Sequence, residues 1–214
     1  LWTGVLKKNF AQLHLHEADL SVDAQVRKLV RPHQAVPLIY EDLIDEIRDE
    51  MEDDGHNPYA YVFTYDWRKD NRLASAELGG FVDEVLKIAG VHERQADRRA
   101  PTQVVLIGHS MGGLVIKWCA THHLVKRKIA RIITIATPYR GSIKAIEALL
   151  PGAKNLFGME NKKSMRHAAR TMPGIFQLLP TYEGAVVDTQ GKGLDDFQKK
   201  NWQANLISGL SRRF

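Results

Sequence analysis

Residues 103–114 read QVVLIGHSMGGL, and this stretch decides the fold that the sequence predicts. Four apolar residues at 104–107 run directly into Gly-His-Ser-Met-Gly at 108–112, after which the apolar residues recur at helical spacing. A serine placed in this way between a strand and a helix is typical of a nucleophile elbow. The stretch therefore predicts a strand, a sharp turn with Ser110 at its apex, and a helix.

Glycine is expected on both sides of the serine because such a turn is tight. The apex residue takes a strained backbone conformation, and a Cβ atom two residues before or after it would crowd the turn, so Gly108 and Gly112 are predicted to provide clearance. The same geometry exposes the Ser110 hydroxyl at the edge of a sheet and points the Met111 N–H toward a developing oxyanion. The alternative is a chance pattern in which Ser110 is only a helix N-cap. The flanking strand and helix favour the elbow.

The rest of the chain predicts an α/β fold with a mostly parallel sheet and helices on both faces. The predicted elements are a helix from Pro37 to Gly55, a strand at 59–65, a helix capped by Asn71 and ended by Gly90, the elbow strand and helix, a strand at 131–136 and a short helix to Leu150. Asp66, Ser110 and Thr137 then fall at the carboxyl ends of strands, where active residues are expected in such sheets.

The chain is predicted to be one domain, because 214 residues with 44% hydrophobic content can bury a single core. Residues 1–150 are interpreted as the core with the elbow, 151–182 as a lid or cap segment, and 183–214 as the start of the C-terminal portion of the same domain. Residues 1–36 are expected to be irregular, and 194–210 to form a last helix. Four apolar residues of the lid segment either contact an acyl chain or pack onto the body: Ile175, Phe176, Leu178 and Leu179.

The charge and cysteine content exclude some classes of protein. The net charge of +5 comes from 30 basic and 25 acidic residues that are interspersed, which indicates a mixed surface and no nucleic-acid partner. The single cysteine, Cys119, is interpreted as an ordinary buried thiol. No stretch approaches the roughly 18 apolar residues that span a bilayer, and no signal-peptide core is present, so the compartment stays open with the cytoplasm slightly favoured.

Three separated motifs resemble the lecithin:cholesterol acyltransferase-like branch of the α/β-hydrolases. They are FTYDWR at 63–68, GHSMGG at 108–113 and ATPYRGS at 136–142, and the resemblance covers roughly residues 37–182. It implies an α/β-hydrolase fold with a lid-like insertion, with Ser110 as the acyl-accepting nucleophile and the Met111 N–H in the oxyanion hole. It also implies a lipid or other acyl ester as substrate, with contact to a lipid surface as a further expectation, and no cofactor.

The resemblance also suggests substrate-binding residues near the serine. The candidates are Asp66, Trp67, Arg68, His109 and Tyr139. The Asp66 and Arg68 pair has two interpretations: it anchors a loop through a bidentate bond, which is favoured, or the arginine meets a polar head group. Tyr139 is the one plausible substrate contact in its motif.

A serine hydrolase also needs a histidine base and a carboxylate that orients it, in the order Ser, Asp, His for this fold. Three aspartates follow Ser110, but no histidine follows His167. The chain begins with Leu1 and not with Met, which favours an interior portion of a longer enzyme over a shortened relative without turnover. A third interpretation, a base at His167 delivered by the lid, is disfavoured.

Other chemistries find no support. The sequence lacks the complete motifs of P-loop, dinucleotide-binding and zinc-protease sites, so no metal is predicted. We therefore expect a serine-dependent lipid ester hydrolase or acyltransferase acting through Ser110. The alternative is a non-catalytic α/β-hydrolase-fold module that binds a lipid or a protein.

Overall fold

The computed structural model describes residues 37–54, 57, 59–122, 125–150 and 163–194. The predictions for residues 1–36, for Gly55, for 151–162 and for the part of the last helix at 195–210 lie outside these residues. Leu194, the predicted first residue of that helix, lies in a strand instead. The elements are helices α1 (Pro37–Asp53), α2 (Asn71–Gln95), α3 (Met111–His122), α4 (Ile143–Leu149), α5 (Lys163–Ala169) and α6 (Pro173–Phe176), and strands β1 (Val104–His109), β2 (Ile129–Ile135), β3 (Val186–Val187) and β4 (Gly193–Leu194).

The centre of the fold is a parallel strand, helix and strand unit. β1 pairs with β2 in parallel, and α3 connects the two strands. Their register places Gly108 opposite Thr134 and His109 opposite Ile135, so both strands end side by side. The predicted parallel arrangement of the elbow strand and the strand after it is confirmed. The second strand begins at Ile129, two residues before the predicted start.

One face of this sheet packs on α2 and α3. Val104, Leu106 and Ile129 pack against a cluster of buried side chains. The cluster consists of Ala74, Leu78, Val82, Val115, Ile116, Cys119 and Val125. Cys119 is the buried thiol that the sequence predicted, and burial raises its pKa.

The other face of the sheet is largely open in the part of the chain that the structure describes. Its apolar side chains are between 40% and 52% exposed: Val105, Ile107, Ile133 and Ile135. α1 touches this face where the Tyr40 hydroxyl lies 2.7 Å from Nδ1 of His109. The prediction of helices on both faces is therefore confirmed for the face under α2 and α3. On the other face, the contact of α1 is at His109, and the apolar side chains named above stay partly exposed among the described residues.

The predicted strand at 59–65 is wrong. The sheet of β1 and β2 has two strands among the described residues, so the segment has no ladder partner. Its aromatic residues pack as side chains instead: Phe63 stacks on Tyr65 with ring centroids 6.0 Å apart, and Phe63 also meets Phe81 of α2 at 5.4 Å. Aromatic and β-branched composition indicates a fit to a half-buried surface, which is not sufficient for a strand without a neighbour.

Both ends of α2 differ from the prediction. Asp70, one residue before the predicted cap, accepts a hydrogen bond from the Arg72 N–H at 2.8 Å. Gly90 does not end the helix, which continues to Gln95. A Cβ at Gly90 would lie 3.3 Å from Nη1 of Arg94 and 3.4 Å from Cβ of Ala100, so the glycine permits close packing. Gly90 therefore allows close packing inside the helix and does not end it.

A network around Glu93 near the end of α2 makes stability depend on pH. The Glu93 carboxylate accepts hydrogen bonds from Nε of Arg98 at 2.6 Å, from the Tyr59 hydroxyl at 2.9 Å and from the Asn57 amide. These bonds lower the pKa of Glu93 from 4.5 to about 2, and the bond from Arg98 has the largest effect. Because the pKa of Glu93 is lower in the folded state than in the unfolded state, ionised Glu93 stabilises the fold above pH 4.5. This stabilisation is lost as the pH falls from 4.5 to about 2.

We expect the melting temperature of the wild type to fall between pH 4.5 and pH 2 more steeply than that of Glu93→Gln, whose side chain does not titrate. Thermal melts followed by circular dichroism across this range measure the difference. Glu84→Gln removes an exposed carboxylate of the same helix and is expected to keep the wild-type slope. Equal slopes for the wild type and Glu93→Gln would contradict the assignment.

A second cluster of buried side chains joins α4, α5 and α6. It consists of Ala145, Ile146, Ala148, Leu149, Ala168, Ala169, Met172, Ile175, Phe176 and Leu179, with Trp67 and Leu178 packed against it. Ile175 is 1% exposed, and Phe176 and Leu179 are each 6% exposed. Their burial in this cluster favours packing onto the body over contact with an acyl chain.

Backbone contacts fasten residues 173–181 to two loops, one directly before α2 and one directly after β2. The Gly174 N–H donates to the Arg68 carbonyl at 3.1 Å, and the Thr181 N–H donates to the Arg140 carbonyl at 2.8 Å. A Cβ at Gly174 would lie 2.2 Å from the Trp67 carbonyl oxygen, so only glycine permits this approach. The two loops that carry candidate site residues are thus held by one common segment.

The side chain of Gln177 also holds residues 173–181 to the start of α2. Its Oε1 accepts from the Asn71 N–H at 2.8 Å, and its Nε2 donates to Oδ1 of Asp70 at 2.7 Å. We expect Gln177→Ala to reduce the free energy of unfolding by about 1 to 2 kcal/mol, because both partners lose a hydrogen bond at the start of α2. Urea unfolding measures the loss. Gln190→Ala, at an exposed turn, is the matched control and is expected to stay within about 0.5 kcal/mol of the wild type.

Candidate active site

Ser110 lies at the turn between β1 and α3. Its φ of 52° is left-handed, a conformation that costs a non-glycine residue on the order of 1 kcal/mol or more. The Ser110 N–H donates to the Ile135 carbonyl at 2.8 Å, and the Ser110 carbonyl accepts from the Gly113 N–H at 3.1 Å. The first bond ties the turn to the end of β2 and the second starts α3. The predicted strand, strained turn and helix are confirmed.

The glycines that make this turn possible are Gly108 and Gly113. A Cβ at Gly108 would lie 2.7 Å from Cδ1 of Ile116 and 2.9 Å from the Gly113 nitrogen. A Cβ at Gly113 would lie 2.0 Å from Oγ1 of Thr137. At Gly112 the nearest atom is the Tyr65 hydroxyl, 3.9 Å away, which is ordinary contact. The prediction that Gly112 clears the turn is therefore wrong, and its neighbour Gly113 has the tight contact.

The end of β2 is strained in the same way. Ala136 has a φ of 49°, so the chain turns sharply into the Thr137 loop. Oγ1 of Thr137 is buried against Gly113 and has no hydrogen-bond partner among the described residues. Two adjacent strand ends thus each carry a non-glycine residue in a left-handed conformation. Strain of this kind persists only where packing enforces it, and it is concentrated at functional sites.

Asp66 and Arg68 form a buried bidentate ion pair. Nε of Arg68 donates to Oδ1 of Asp66 at 2.8 Å and Nη2 donates to Oδ2 at 2.6 Å, and Arg68 is 5% exposed. Trp67 packs against the second cluster, with its carbonyl oxygen facing Gly174. This geometry favours the loop-anchoring interpretation of the pair over contact with a head group. Substrate contact by Asp66, Trp67 or Arg68 stays a prediction.

His109 adjoins Ser110 in the chain, but its ring faces α1. Nδ1 of His109 lies 2.7 Å from the Tyr40 hydroxyl, and the two rings meet edge to face with centroids 5.7 Å apart. His122 stacks on Trp118, with centroids 3.9 Å apart. Among the described residues, no histidine hydrogen-bonds to the Ser110 side chain. The position of a base for this serine stays a prediction.

Tyr139 is 46% exposed and its ring lies 5.0 Å from the Lys117 ammonium. The contact places the Tyr139 ring beside the side chain of Lys117 on α3. A role for Tyr139 in substrate binding stays a prediction.

Two tyrosines near the elbow were missed by the sequence reasoning. The Tyr65 hydroxyl faces the first turn of α3 at Gly112, and burial, with a smaller effect of Tyr40, raises the pKa of Tyr65 to about 12. Tyr65 directly precedes Asp66 in the second motif, and this adjacency was the available signal. Tyr40 lies on α1, and nothing in its sequence context distinguishes it from the apolar positions beside it.

The described residues contain no group of three or more His, Cys, Asp or Glu side chains that could hold a metal ion. None of the described helices is long and apolar enough to cross a membrane.

A parallel strand, helix and strand unit with a strained serine at its first turn is the architecture of an α/β-hydrolase. The model of the lecithin:cholesterol acyltransferase family matches residues 38–206, which is more than half of the chain, and the chain belongs to this family. Membership supports lipid acyltransferase or phospholipase-like activity in general, on lipid esters. Comparisons with curated proteins and with solved structures gave no match.

Proposed function

We propose that this protein is a serine-dependent lipid ester hydrolase or acyltransferase that works through an acyl-enzyme on Ser110. The observation that carries the proposal is the strained turn itself: Ser110, with a φ of 52°, lies at the end of β1 and directly before α3. Membership of a family that acts on lipid esters supports an acyl ester as the substrate.

The reaction has two steps. The Ser110 oxygen attacks the ester carbonyl, the bond to the alcohol oxygen breaks, and the alcohol leaves with a proton. Water or an acceptor alcohol then attacks the acyl-serine, which releases a fatty acid or a new ester and restores the serine. A base must take the Ser110 proton in the first step. We place it at a histidine outside the described residues, oriented by a carboxylate.

The start of α3 supports charge stabilisation during both steps. Met111 is the first residue of α3, and its N–H has no backbone acceptor among the described residues. The free N–H groups at a helix N-terminus carry partial positive charge, which favours an oxyanion placed there. We assign the Met111 N–H to the oxyanion hole.

A lid or cap over the site remains part of the proposal. The described part of the segment at 151–182 is fastened at residues 173–181 to the backbone of Arg68 and Arg140. A cap attached in this way would move together with the loops that follow Asp66 and Thr137.

A fluorophosphonate probe tests the proposal, because it phosphonylates an activated serine. In the protein at its natural length, we expect one equivalent of label on the peptide that contains Ser110. Ser142→Ala, which removes the serine that caps α4, is the matched control and should label like the wild type. Labelling that persists in Ser110→Ala would contradict the proposal. A wild type that resists the probe but binds lipid vesicles would instead support the non-catalytic module.

A further inference from the structure

A row of alternating aromatic and basic side chains lies on the exposed side of α3 and on the loops after β2 and α6. We call it the aromatic-basic row, and its members are, in spatial order, Tyr182, Arg140, Tyr139, Lys117, Trp118 and His122. Every member contacts the next one or adjoins it in the chain. The Arg140 guanidinium lies 5.5 Å from the centre of the Tyr182 ring, and the Lys117 ammonium lies 5.0 Å from the centre of the Tyr139 ring. The row is therefore continuous.

The aromatic members of the row are held in an exposed position. Tyr139 is 46% exposed and Trp118 is 38% exposed. Trp118 stacks on His122 with ring centres 3.9 Å apart, and the Lys117 ammonium lies over one face of Tyr139. Large apolar side chains that stay together in solvent mark a surface for interaction. The row is therefore a candidate docking surface.

The basic members of the row keep their positive charge uncompensated. None of the ion pairs among the described residues includes Lys117 or Arg140. Lys144, four residues after Arg140, is exposed and belongs to none of these ion pairs either. One carboxylate, Glu183, adjoins a member of the row in the chain. A partner of negative charge is therefore complementary to this surface.

The row lies on the two elements that meet at the Ser110 turn. α3 begins directly after Ser110. The loop with Tyr139 and Arg140 follows β2, whose Ile135 carbonyl accepts a hydrogen bond from the Ser110 N–H at 2.8 Å. A surface that binds the row is thus attached to the same elements as the proposed nucleophile.

The chemistry of the row fits the surface of an anionic phospholipid bilayer. Tryptophan and tyrosine are enriched at membrane–water interfaces, and lysine and arginine beside them are attracted to anionic head groups. A protein partner fits less well, because lysine is depleted in the core of protein interfaces. Single-stranded nucleic acid also fits less well, since one face of Tyr139 and one face of Trp118 are already covered and are closed to base stacking.

We propose that the aromatic-basic row docks the protein on the surface of an anionic phospholipid bilayer, with its rings at the level of the head groups and Lys117 and Arg140 against the phosphates. This inference rests on the proposed action on lipid esters and names the surface on which that action takes place. Docking through the row brings the elements that carry Ser110 to the lipid, so that the substrate is taken from the bilayer.

The experiment is co-sedimentation of the protein at its natural length with vesicles of ether-linked phospholipids, which contain no carboxylic ester to be hydrolysed. The vesicles consist of phosphatidylcholine alone or of an equimolar mixture of phosphatidylcholine and phosphatidylglycerol. We expect the wild type to bind the mixed vesicles in preference, and to bind them more weakly as salt is raised, because salt screens surface charges.

The charge of the row is tested by reversing it at single positions. Lys117→Glu and Arg140→Glu are each expected to weaken binding to the mixed vesicles on the order of 10-fold. Lys87→Glu makes the same change at an exposed position of α2 outside the row and should bind like the wild type. All variants are compared below their melting temperatures, so that a loss of binding does not report unfolding.

The aromatic part of the row is tested at Trp118. Trp118→Ala is expected to weaken binding to the mixed vesicles by about threefold to tenfold, because less apolar surface enters the interface. Ile88→Ala is the control, since it truncates an apolar side chain on α2 that is also 38% exposed. It should leave vesicle binding unchanged.

The outcomes separate the docking surface from the proposed function. A wild type that does not bind the mixed vesicles, or that binds them no better than Lys117→Glu, would overturn the docking surface. Binding of a single-stranded oligonucleotide through Lys117 and Arg140, without binding of vesicles, would assign the row to nucleic acid and would also overturn it. Vesicle binding through the row by a wild type that takes no fluorophosphonate label at Ser110 would refute the acyl-enzyme and leave a lipid-binding module.

Discussion

Replacing Ser110 with alanine is expected to lower the turnover of a lipid ester by roughly 10⁴-fold or more, because the acyl-enzyme cannot form. The remaining rate would come from the Met111 N–H and from binding of the ester. Loss of the hydroxyl should not destabilise the fold, since the bonds that fix the turn use the Ser110 backbone N–H and carbonyl. Steady-state hydrolysis of a phospholipid or a short acyl ester measures the effect.

The control for this experiment is again Ser142→Ala. Its side chain accepts a hydrogen bond from the Lys144 N–H at 3.3 Å, so its loss is expected to cost about 1 kcal/mol of stability and to leave turnover within about twofold when assayed well below the melting temperature. Turnover in Ser110→Ala at the level of the control would rule out the acyl-enzyme. It would favour a binding module that has kept the shape of the elbow.

The second large effect is expected at Gly113. Gly113→Ala would place a methyl group 2.0 Å from Oγ1 of Thr137 and less than 3 Å from two further atoms of the same side chain. Because Thr137 is held between the strained Ala136 and the Pro138 loop, α3 and the end of β2 must move apart. We expect a loss of about 3 kcal/mol, or about 6 to 12 °C in melting temperature. Calorimetry of the purified variant measures it.

The adjacent glycine is the control for Gly113. A methyl group at Gly112 meets only the Tyr65 hydroxyl at 3.9 Å, and alanine is the better helix former, so Gly112→Ala should be neutral in stability or slightly stabilising, by up to about 1 kcal/mol. Equal losses for the two variants would contradict the difference in clearance that the structure shows.

The sequence predicted the parts of the fold that depend on local pattern. An apolar run, two glycines around a serine and helical spacing after it were sufficient for β1, the turn and α3, because each is determined within a few residues. The parallel pairing with the next strand followed from the order of the elements. Family membership followed from three motifs, whose residues and spacing can be recognised in the sequence.

Most of the errors concern packing contacts that local pattern does not show. The segment at 59–65 has the composition of a strand but no partner among the described residues. Gly90 looked like a helix stop, yet its small size serves the approach of Arg94 and Ala100. Clearance was predicted at Gly112 and is required at Gly113, because the clash partner of Gly113, Thr137, lies 24 residues further along the chain.

What the sequence by itself determined is the identity and strain of the central turn: a serine between a strand and a helix, in a chain that belongs to a lipid acyltransferase family. Tertiary structure alone decided which groups surround that serine. It turned His109 toward Tyr40 and brought the Tyr65 hydroxyl over α3. The physical reason is that residues adjacent in the chain indicate a strand, a turn and a helix, whereas hydrogen-bond partners and clearance are set by packing between elements far apart in sequence.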